Sequence, residues 1–479
     1  MTTDVIVIGG GLAGLSTAAL LANKGRKVLL LEKNQRLGGY ATSYTSHGHR
    51  FDIATQALGG CGEGGVVHSI LVELGIAEQI RFLACEPARM YYLPDGKTYI
   101  QHGFLRAQQE ELKKAFPAFL REIDRCFAVW QNLFEELETI ATKPGGEVAF
   151  QFARSFPNLA RYSRTTVQQF FNELAIPQAL QVRLACRAGY CMLPLHRLSL
   201  VAFACTEMSF ASGAWMVEGG VSRLADVLRN YIVEQGGEVR ARSRVTSLVS
   251  EHERLVGVEV SGEKISCKQV VLACDGSDLL RGLPGLSDKY LSRRGSFEKS
   301  GSYFISYYQV AKDAVHGLAP NIEVWPGQES KLAGKENVGV YYLLIPSLVD
   351  PGSAPEGYHS FCLSVPLAAG VSPAASERRR LRQQLEKEVE AQFPTLKGKL
   401  RFLFELAPEH LQLMTANPSG SAYGWAQTPE QAGIHRLSIK TAVENLYLAG
   451  HWTMPGGGIA AVMTSGRLCA QAVLEVEGK

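Results

Sequence analysis

The feature that most constrains the fold lies near the start of the sequence. It is an ordered series of strand, glycine turn, helix, second strand and acid. Val5-Ile6-Val7-Ile8 is a continuous apolar, β-branched run, as a parallel strand buried on both faces requires. Gly9-Gly10-Gly11-Leu12-Ala13-Gly14 follows at once and matches G-x-G-x-x-G. Leu12 to Asn23 is rich in alanine and leucine and reads as a helix, with Gly25 where a capping glycine belongs. Val28-Leu29-Leu30-Leu31 reads as the second strand, closed by Glu32 and Lys33. Each part has a physical task. Gly9 permits the tight turn, Gly11 lets backbone approach a pyrophosphate, and Gly14 allows close helix–strand packing. The helix start at Leu12 and Ala13 turns free N–H groups toward phosphate, and Glu32 accepts from ribose hydroxyls.

Two other glycine runs match the pattern by letter. Gly60-Cys61-Gly62-Glu63-Gly64-Gly65 follows Thr55-Gln56-Ala57-Leu58, which is no buried strand, and no strand with an acid comes after it. It reads as a flexible loop. Gly456-Gly457-Gly458-Ile459-Ala460-Ala461 matches an alanine variant but belongs to a closing motif described below. No second dinucleotide fold for a nicotinamide emerges.

At 479 residues the chain exceeds what one core usually serves, so two domains are expected. A net charge of +3, from 49 basic and 46 acidic residues, is too balanced for nucleic acid to be the main partner. No apolar run is long enough to span a bilayer, and residues 1–4 lead straight into the strand pattern rather than a signal peptide. The ten cysteines are scattered without a Cys-x-x-Cys pair, which points to reduced cytoplasmic thiols rather than a zinc site.

Arg36-Leu37-Gly38-Gly39-Tyr40-Ala41-Thr42-Ser43, followed by Phe51-Asp52, resembles the Arg-x-Gly-Gly stretch of the large FAD family of amine oxidases, protoporphyrinogen oxidases and phytoene desaturases. Asn445-Leu446-Tyr447-Leu448-Ala449-Gly450, then His451-Trp452-Thr453-Met454-Pro455 and three glycines, looks like that family's closing strand and turn. Ile459 to Leu474 then reads as a helix. Between them, Glu218 to Leu224 opens a helix, Val239 begins a strand, and Lys268 to Asp275 returns to the nucleotide. Among the branches the chain is most similar to the phytoene desaturase, carotenoid isomerase and retinol saturase group.

The resemblance implies an α/β fold. A Rossmann-like FAD-binding domain of the glutathione reductase/amine oxidase type (1–84, 213–289 and 441–479) is interleaved with a substrate-binding domain of mixed sheet and helical lid (85–212 and 290–440). It implies that Gly38, Gly39, Tyr40 and Ala41 border the pyrophosphate and ribityl chain. Val245 meets the adenine edge through its backbone. Gly450 and His451 border the ribityl chain, and Ile459 and Ala460 lie at the flavin pyrimidine. Three positions depart from the branch. Tyr40 replaces an arginine, Ala54 a glycine, and His451 the acid that normally bonds the ribityl chain.

The segments between the nucleotide blocks show two patterns. Leu112, Ala115, Phe116, Phe119, Leu120, Ile123, Phe127 and Trp130 recur at helical spacing. Tyr303 to Val310, Val338 to Ile345 and Ser360 to Val365 read as strands. Residues 373–393 read as a helix with Leu381, Leu385, Val389 and Phe393 inward and Arg378, Arg379, Arg380 and Arg382 outward. Residues 150–164 mix aromatics with Arg154, Arg161 and Arg164. A lid helix packed on the core is preferred there, with an interfacial helix at a membrane as the alternative.

For chemistry, FAD carries the hydride, so few catalytic side chains are needed. His451 is the catalytic candidate, against the preferred reading that it only replaces the ribityl acid. His196 is a weaker candidate, His47 and His49 have no third metal ligand, and Ser465-Gly466-Arg467 reads as structural. Trp452 and Tyr40 lie either near the flavin or in ordinary core. The expected activity is FAD-dependent desaturation, saturation or isomerisation of C–C bonds in an apolar, conjugated or isoprenoid-like substrate. Oxygen or a quinone is the acceptor if the reaction is a net oxidation. A flavin amine or amino-acid oxidase and a non-enzymatic protein like the GDP-dissociation inhibitors are the alternatives. The expected location is the cytoplasm, with peripheral membrane association left open.

Overall fold

The computed structural model describes residues 3–53, 57–142, 152–251, 254–326 and 340–475. Ala54, Thr55, Gln56, Phe150 and the first two residues of the expected strand at 338–345 lie outside them. The described strands build two large sheets.

The parallel part of the first sheet runs in the order Leu446–Leu448, Glu263–Leu272, Thr3–Ile8, Val28–Leu31, Glu238–Arg240. Ile8 lies opposite Leu31 on one side and Leu272 on the other, so these three strands end level at one edge, where the glycine turn begins. Glu263–Leu272 starts in antiparallel pairing with Arg254–Val260, which pairs in turn with Val245–Glu251. Val5, Ile6 and Val7 are fully buried, as the unbroken apolar run demands.

Helix Leu12–Asn23 is buried from Leu12 to Ala22, because apolar and small residues occupy all its faces. It packs against Ser222–Glu234 and Ile459–Glu475. An ideal Cβ on Gly466 would lie 2.2 Å from Ser16 Oγ and 2.7 Å from the Ala13 carbonyl oxygen. Glycine there lets the two helix backbones touch, and Thr17 Oγ1 donates to the Gly466 carbonyl at 3.2 Å.

The second sheet runs Arg401–Leu406, Ser302–Ala311, Tyr358–Leu367, Tyr341–Leu344, Asn321–Val324, Arg89–Tyr92, Thr98–Gln101. Its strands alternate by face. Tyr308, Val310, Phe361, Leu363 and Val365 pack with Leu385 and Val389 of helix Ala375–Gln392. Tyr303, Ile305, Tyr307, Cys362 and Ser364 border a cavity. A helical body built on Trp130, Phe170, Phe171 and Phe203 forms another wall.

Four expectations need correction. Residues 89–101 contribute two strands to the second sheet, ahead of a segment read only for its helical spacing. The helical stretch divides into Leu105–Ala115 and Leu120–Thr142, with the break at Pro117, which lacks an N–H for the ladder. In place of one helix across 150–164 there are two, Phe152–Ser155 and Pro157–Tyr162, and Phe156, Leu159 and Tyr162 are buried inward. Arg378 and Arg382 do not point freely outward. Both pair with Glu405, Arg378 also pairs with Glu409, and Arg382 lies 3.8 Å from the Phe402 ring centroid. Among the described residues no helix is long and apolar enough to cross a membrane.

Candidate active site

A cavity of about 1160 Å³ lies between the glycine turn, the start of helix Ile459–Glu475, the helical body and the second sheet. Sites for single small molecules usually measure roughly 300–1,000 Å³.

One end is built from backbone. Helix Leu12–Asn23 begins at Gly11 with no side-chain cap, so its first N–H groups are left for a ligand. An ideal Cβ on Gly11 meets no protein atom within 4 Å, yet the residue borders the cavity, so a side chain there would occupy ligand space. The Gly38 N–H donates to the Gly10 carbonyl at 2.7 Å, which lays the Gly38-Gly39 pair along the turn. Glu32 is 8% exposed, with Oε2 accepting from the Gly10 N–H and Oε1 from the Asn34 N–H, each at 2.8 Å. Each oxygen keeps a further lone pair for a ligand hydroxyl. Lys33 Nζ instead donates to the Leu413 and Met414 carbonyls at 3.0 and 3.1 Å, and burial lowers its pKa. Its ammonium therefore ties the strand end to helix Pro408–Thr415.

The middle of the cavity is held by a buried arginine. Arg436 donates to the carbonyls of His451 at 2.6 Å and Thr453 at 2.9 Å, and to Gln427 Oε1 at 3.2 Å. It pairs with no carboxylate among the described residues, and burial lowers its pKa to about 9. Trp452 Nε1 donates to Asn417 Oδ1 at 3.0 Å, and His451 Nε2 lies 3.3 Å from the same oxygen. An indole N–H only donates, so Oδ1 is the acceptor, Nε2 carries the histidine proton and Nδ1 is left to accept. Burial, reinforced by the Arg436 charge, lowers the His451 pKa to about 3. His451 is thus a neutral hydrogen-bonding group and not an imidazolium acid. Tyr40 borders the same region, and its hydroxyl donates to the Ser421 carbonyl at 3.0 Å.

The other end is built from side chains, including Phe134, Leu137, Val201, Met208, Ile305 and Leu344. Tyr190 also borders it and accepts from Arg89 Nη2 at 2.9 Å. Behind it Arg89 and Glu323 form an ion pair at 2.6 Å with both side chains almost fully buried. Burial raises the Tyr190 pKa, so its hydroxyl stays protonated.

The model of the flavin-containing amine oxidoreductases matches residues 12–474. The chain belongs to this family. It is 25% identical over 502 aligned positions to a 4,4'-diapolycopen-4-al dehydrogenase of Metabacillus indicus, covering 98% of this chain and 96% of the relative. It is 26% identical to a prolycopene isomerase of an Oncidium hybrid cultivar, covering 98% and 83%. Among solved structures, cyclohexylamine oxidase of Brevibacterium oxydans superposes with a TM-score of 0.67 over 100% of both chains at 16% identity, a likeness of fold. The protein is an FAD-dependent oxidoreductase.

The residues present fit FAD. Gly11 leaves a cradle that a Cβ would fill, Glu32 keeps acceptors for a ribose, and the helix start at Leu12, without a side-chain cap, reaches the cavity. The cavity is bordered by Gly9, Gly11, Leu12, Ala13, Glu32, Lys33, Gly38, Gly39, Tyr40, Ala41, Val245, Gly450, His451, Ile459 and Ala460. Gly14 stands apart from it. An ideal Cβ there would lie 2.0 Å from the Gly9 carbonyl oxygen, which places the residue in helix–strand packing.

His196 is exposed and outside the cavity. His49 is buried against Ser360 Oγ at 3.0 Å, and no cluster among the described residues is arranged to hold a metal. Trp452 borders the cavity, buried against Trp425.

Sequence reasoning missed four features. The glycine loop at 59–65 borders the cavity rather than idling at the surface, and its glycines let it pack against residues 209–212. The glycine density was the available signal. Arg467 borders the cavity although Ser465 and Gly466 beside it are structural. Tyr190 and Arg436 carry no local signal at all.

Proposed function

We propose that the protein transfers hydride to or from a C–C bond of an apolar, conjugated or isoprenoid-like substrate, by desaturation, saturation or isomerisation. The observation that carries this is the continuity of the cavity, from the glycine turn into a chamber walled by Phe134, Leu137, Val201, Met208 and Ile305. The names of the dehydrogenase and isomerase relatives support it. When bound, FAD supplies the hydride acceptor or donor at its N5. In this reading 1–84, 213–289 and 441–479 hold the cofactor, and 85–212 and 290–440 hold the substrate. The helix starts at Leu12 and Ile459 favour negative charge on phosphate and reduced flavin. Glu32 takes the ribose hydroxyls, the Val245 backbone the adenine edge, and Gly450 with neutral His451 the ribityl side. The apolar walls orient the substrate and exclude water.

The test is anaerobic mixing of the yellow holoenzyme with isoprenoid polyenes and, separately, with primary amines. Bleaching of the flavin band near about 450 nm, its return when polyene is added to dithionite-reduced enzyme, or isomer change without net bleaching, by polyenes alone supports the reading. Bleaching by amines alone overturns it in favour of an amine oxidase. If net oxidation is found, oxygen or a quinone is the expected acceptor.

A further inference from the structure

Two charges in the apolar chamber have no part in the function above. Arg467 and Glu138 both border the cavity, and neither side chain makes a hydrogen bond or ion pair with a described residue, although their charges sense one another. They lie on facing helices. Along Ile459–Glu475 the whole first turn, Ile459 to Val462, borders the cavity, and beyond it Thr464, Arg467 and Leu468 continue along one helix face. Across from it, Phe134, Leu137 and Glu138 present one face of Leu120–Thr142. With a rise of about 1.5 Å per residue, Arg467 stands about 12 Å along the helix from Ile459. Glu138, exposed and on the cavity wall, places this end at the rim.

We propose that Arg467 and Glu138 form a subsite for a terminal hydroxyl on a long apolar substrate, about 12 Å along the helix from the flavin end of the cavity. This rests on the reading of the chamber as an apolar-substrate site and deepens it. A guanidinium only donates and a carboxylate only accepts, whereas a hydroxyl does both and satisfies the two together. A pure hydrocarbon at the rim would strip water from both charges and return no hydrogen bond. A carboxylate end group would bring a second negative charge beside Glu138, which already senses Glu135. Partial desolvation raises the Glu138 pKa against the pull of Arg467, while the carboxylate stays open to water at the rim.

The experiment titrates holoenzyme with geranylgeraniol, geranylgeranoic acid and the hydrocarbon of the same carbon skeleton, reading the flavin difference spectrum. The alcohol is expected to bind about tenfold or more tighter than the hydrocarbon, since hydrogen bonds to charged groups are at stake. It should also bind tighter than the acid. Arg467→Met and Glu138→Leu, with flavin occupancy as the check on folding, should each cut the preference for alcohol to about threefold or less. Equal binding of alcohol and hydrocarbon by the wild type, or a preference that survives both substitutions, overturns the subsite. Tightest binding of the acid overturns the hydroxyl in favour of an anion. A flat spectrum with all three probes overturns the apolar-substrate reading itself, and the subsite with it.

Discussion

The two ends of the cavity are made of different material. At the nucleotide end the contacts on offer are peptide N–H groups, glycine Cα atoms and one carboxylate, Glu32, pinned by two backbone N–H groups. At the substrate end they are side chains from a 3₁₀ turn, two helices and a sheet, and the polar ones lean on buried partners such as Arg89 and Glu323. A backbone-built site tolerates little change in conformation but is indifferent to most side chains around it. A side-chain-built site can be re-cut by substitution while the fold stays. One fold can therefore keep its cofactor and change its substrate.

The largest expected effect separates two glycines of the same turn. Gly14→Val forces a side chain against the Gly9 carbonyl and should cost soluble protein and flavin together. At Gly11 an added Cβ meets no protein atom within 4 Å, so for Gly11→Val soluble yield and the apo melting temperature should hold while bound flavin is lost. Expression yield with the flavin-to-protein absorbance ratio reads both. Wild-type flavin in Gly11→Val would break the contrast between the two ends.

Next in size is the pair behind Tyr190. Arg89→Met leaves Glu323 buried without its partner and should destabilise the fold by about 3–5 kcal/mol in urea denaturation. The double replacement Arg89→Met with Glu323→Leu should recover most of this. A single replacement with no loss would show that the substrate end does not depend on its buried ion pair.

The last effect is confined to low pH and concerns His451. The folded protein holds its pKa near about 3, below the ordinary 6.5, so the unfolded chain binds a proton that the folded chain excludes. Stability from this source is complete above pH 6.5 and is lost as pH falls toward 3. His451→Asn should flatten the fall in melting temperature across that window. An unchanged slope would mean that His451 titrates freely.

The same contrast explains what could be read from the sequence. Gly9, Gly11, Gly14 and Glu32 are legible because a backbone conformation demands those residue types in order along one stretch of chain. Tyr190 and Tyr303 reach one cavity only through the tertiary fold, so no spacing announces them. The strand Arg89–Tyr92 was hidden for a related reason. It is four residues long and gains its place by pairing with Asn321–Val324, far along the chain. Arg467 was hidden by its neighbours, since adjacent positions on one helix serve packing at Gly466 and the cavity one step round.

The contact between Thr17 and Gly466 spans 449 positions of sequence, and it has a consequence for how the protein is made. During synthesis helix Leu12–Asn23 leaves the ribosome apolar on all sides, and its covering helix arrives hundreds of residues later. Until then the growing chain exposes a sticky surface and a half-finished cofactor cradle. Flavin loading thus belongs to the end of synthesis, when helix Ile459–Glu475 docks. Since a half-finished cradle lacks the lining that Ile459 and Ala460 supply, the amount of folded enzyme in a cell is expected to follow its supply of flavin.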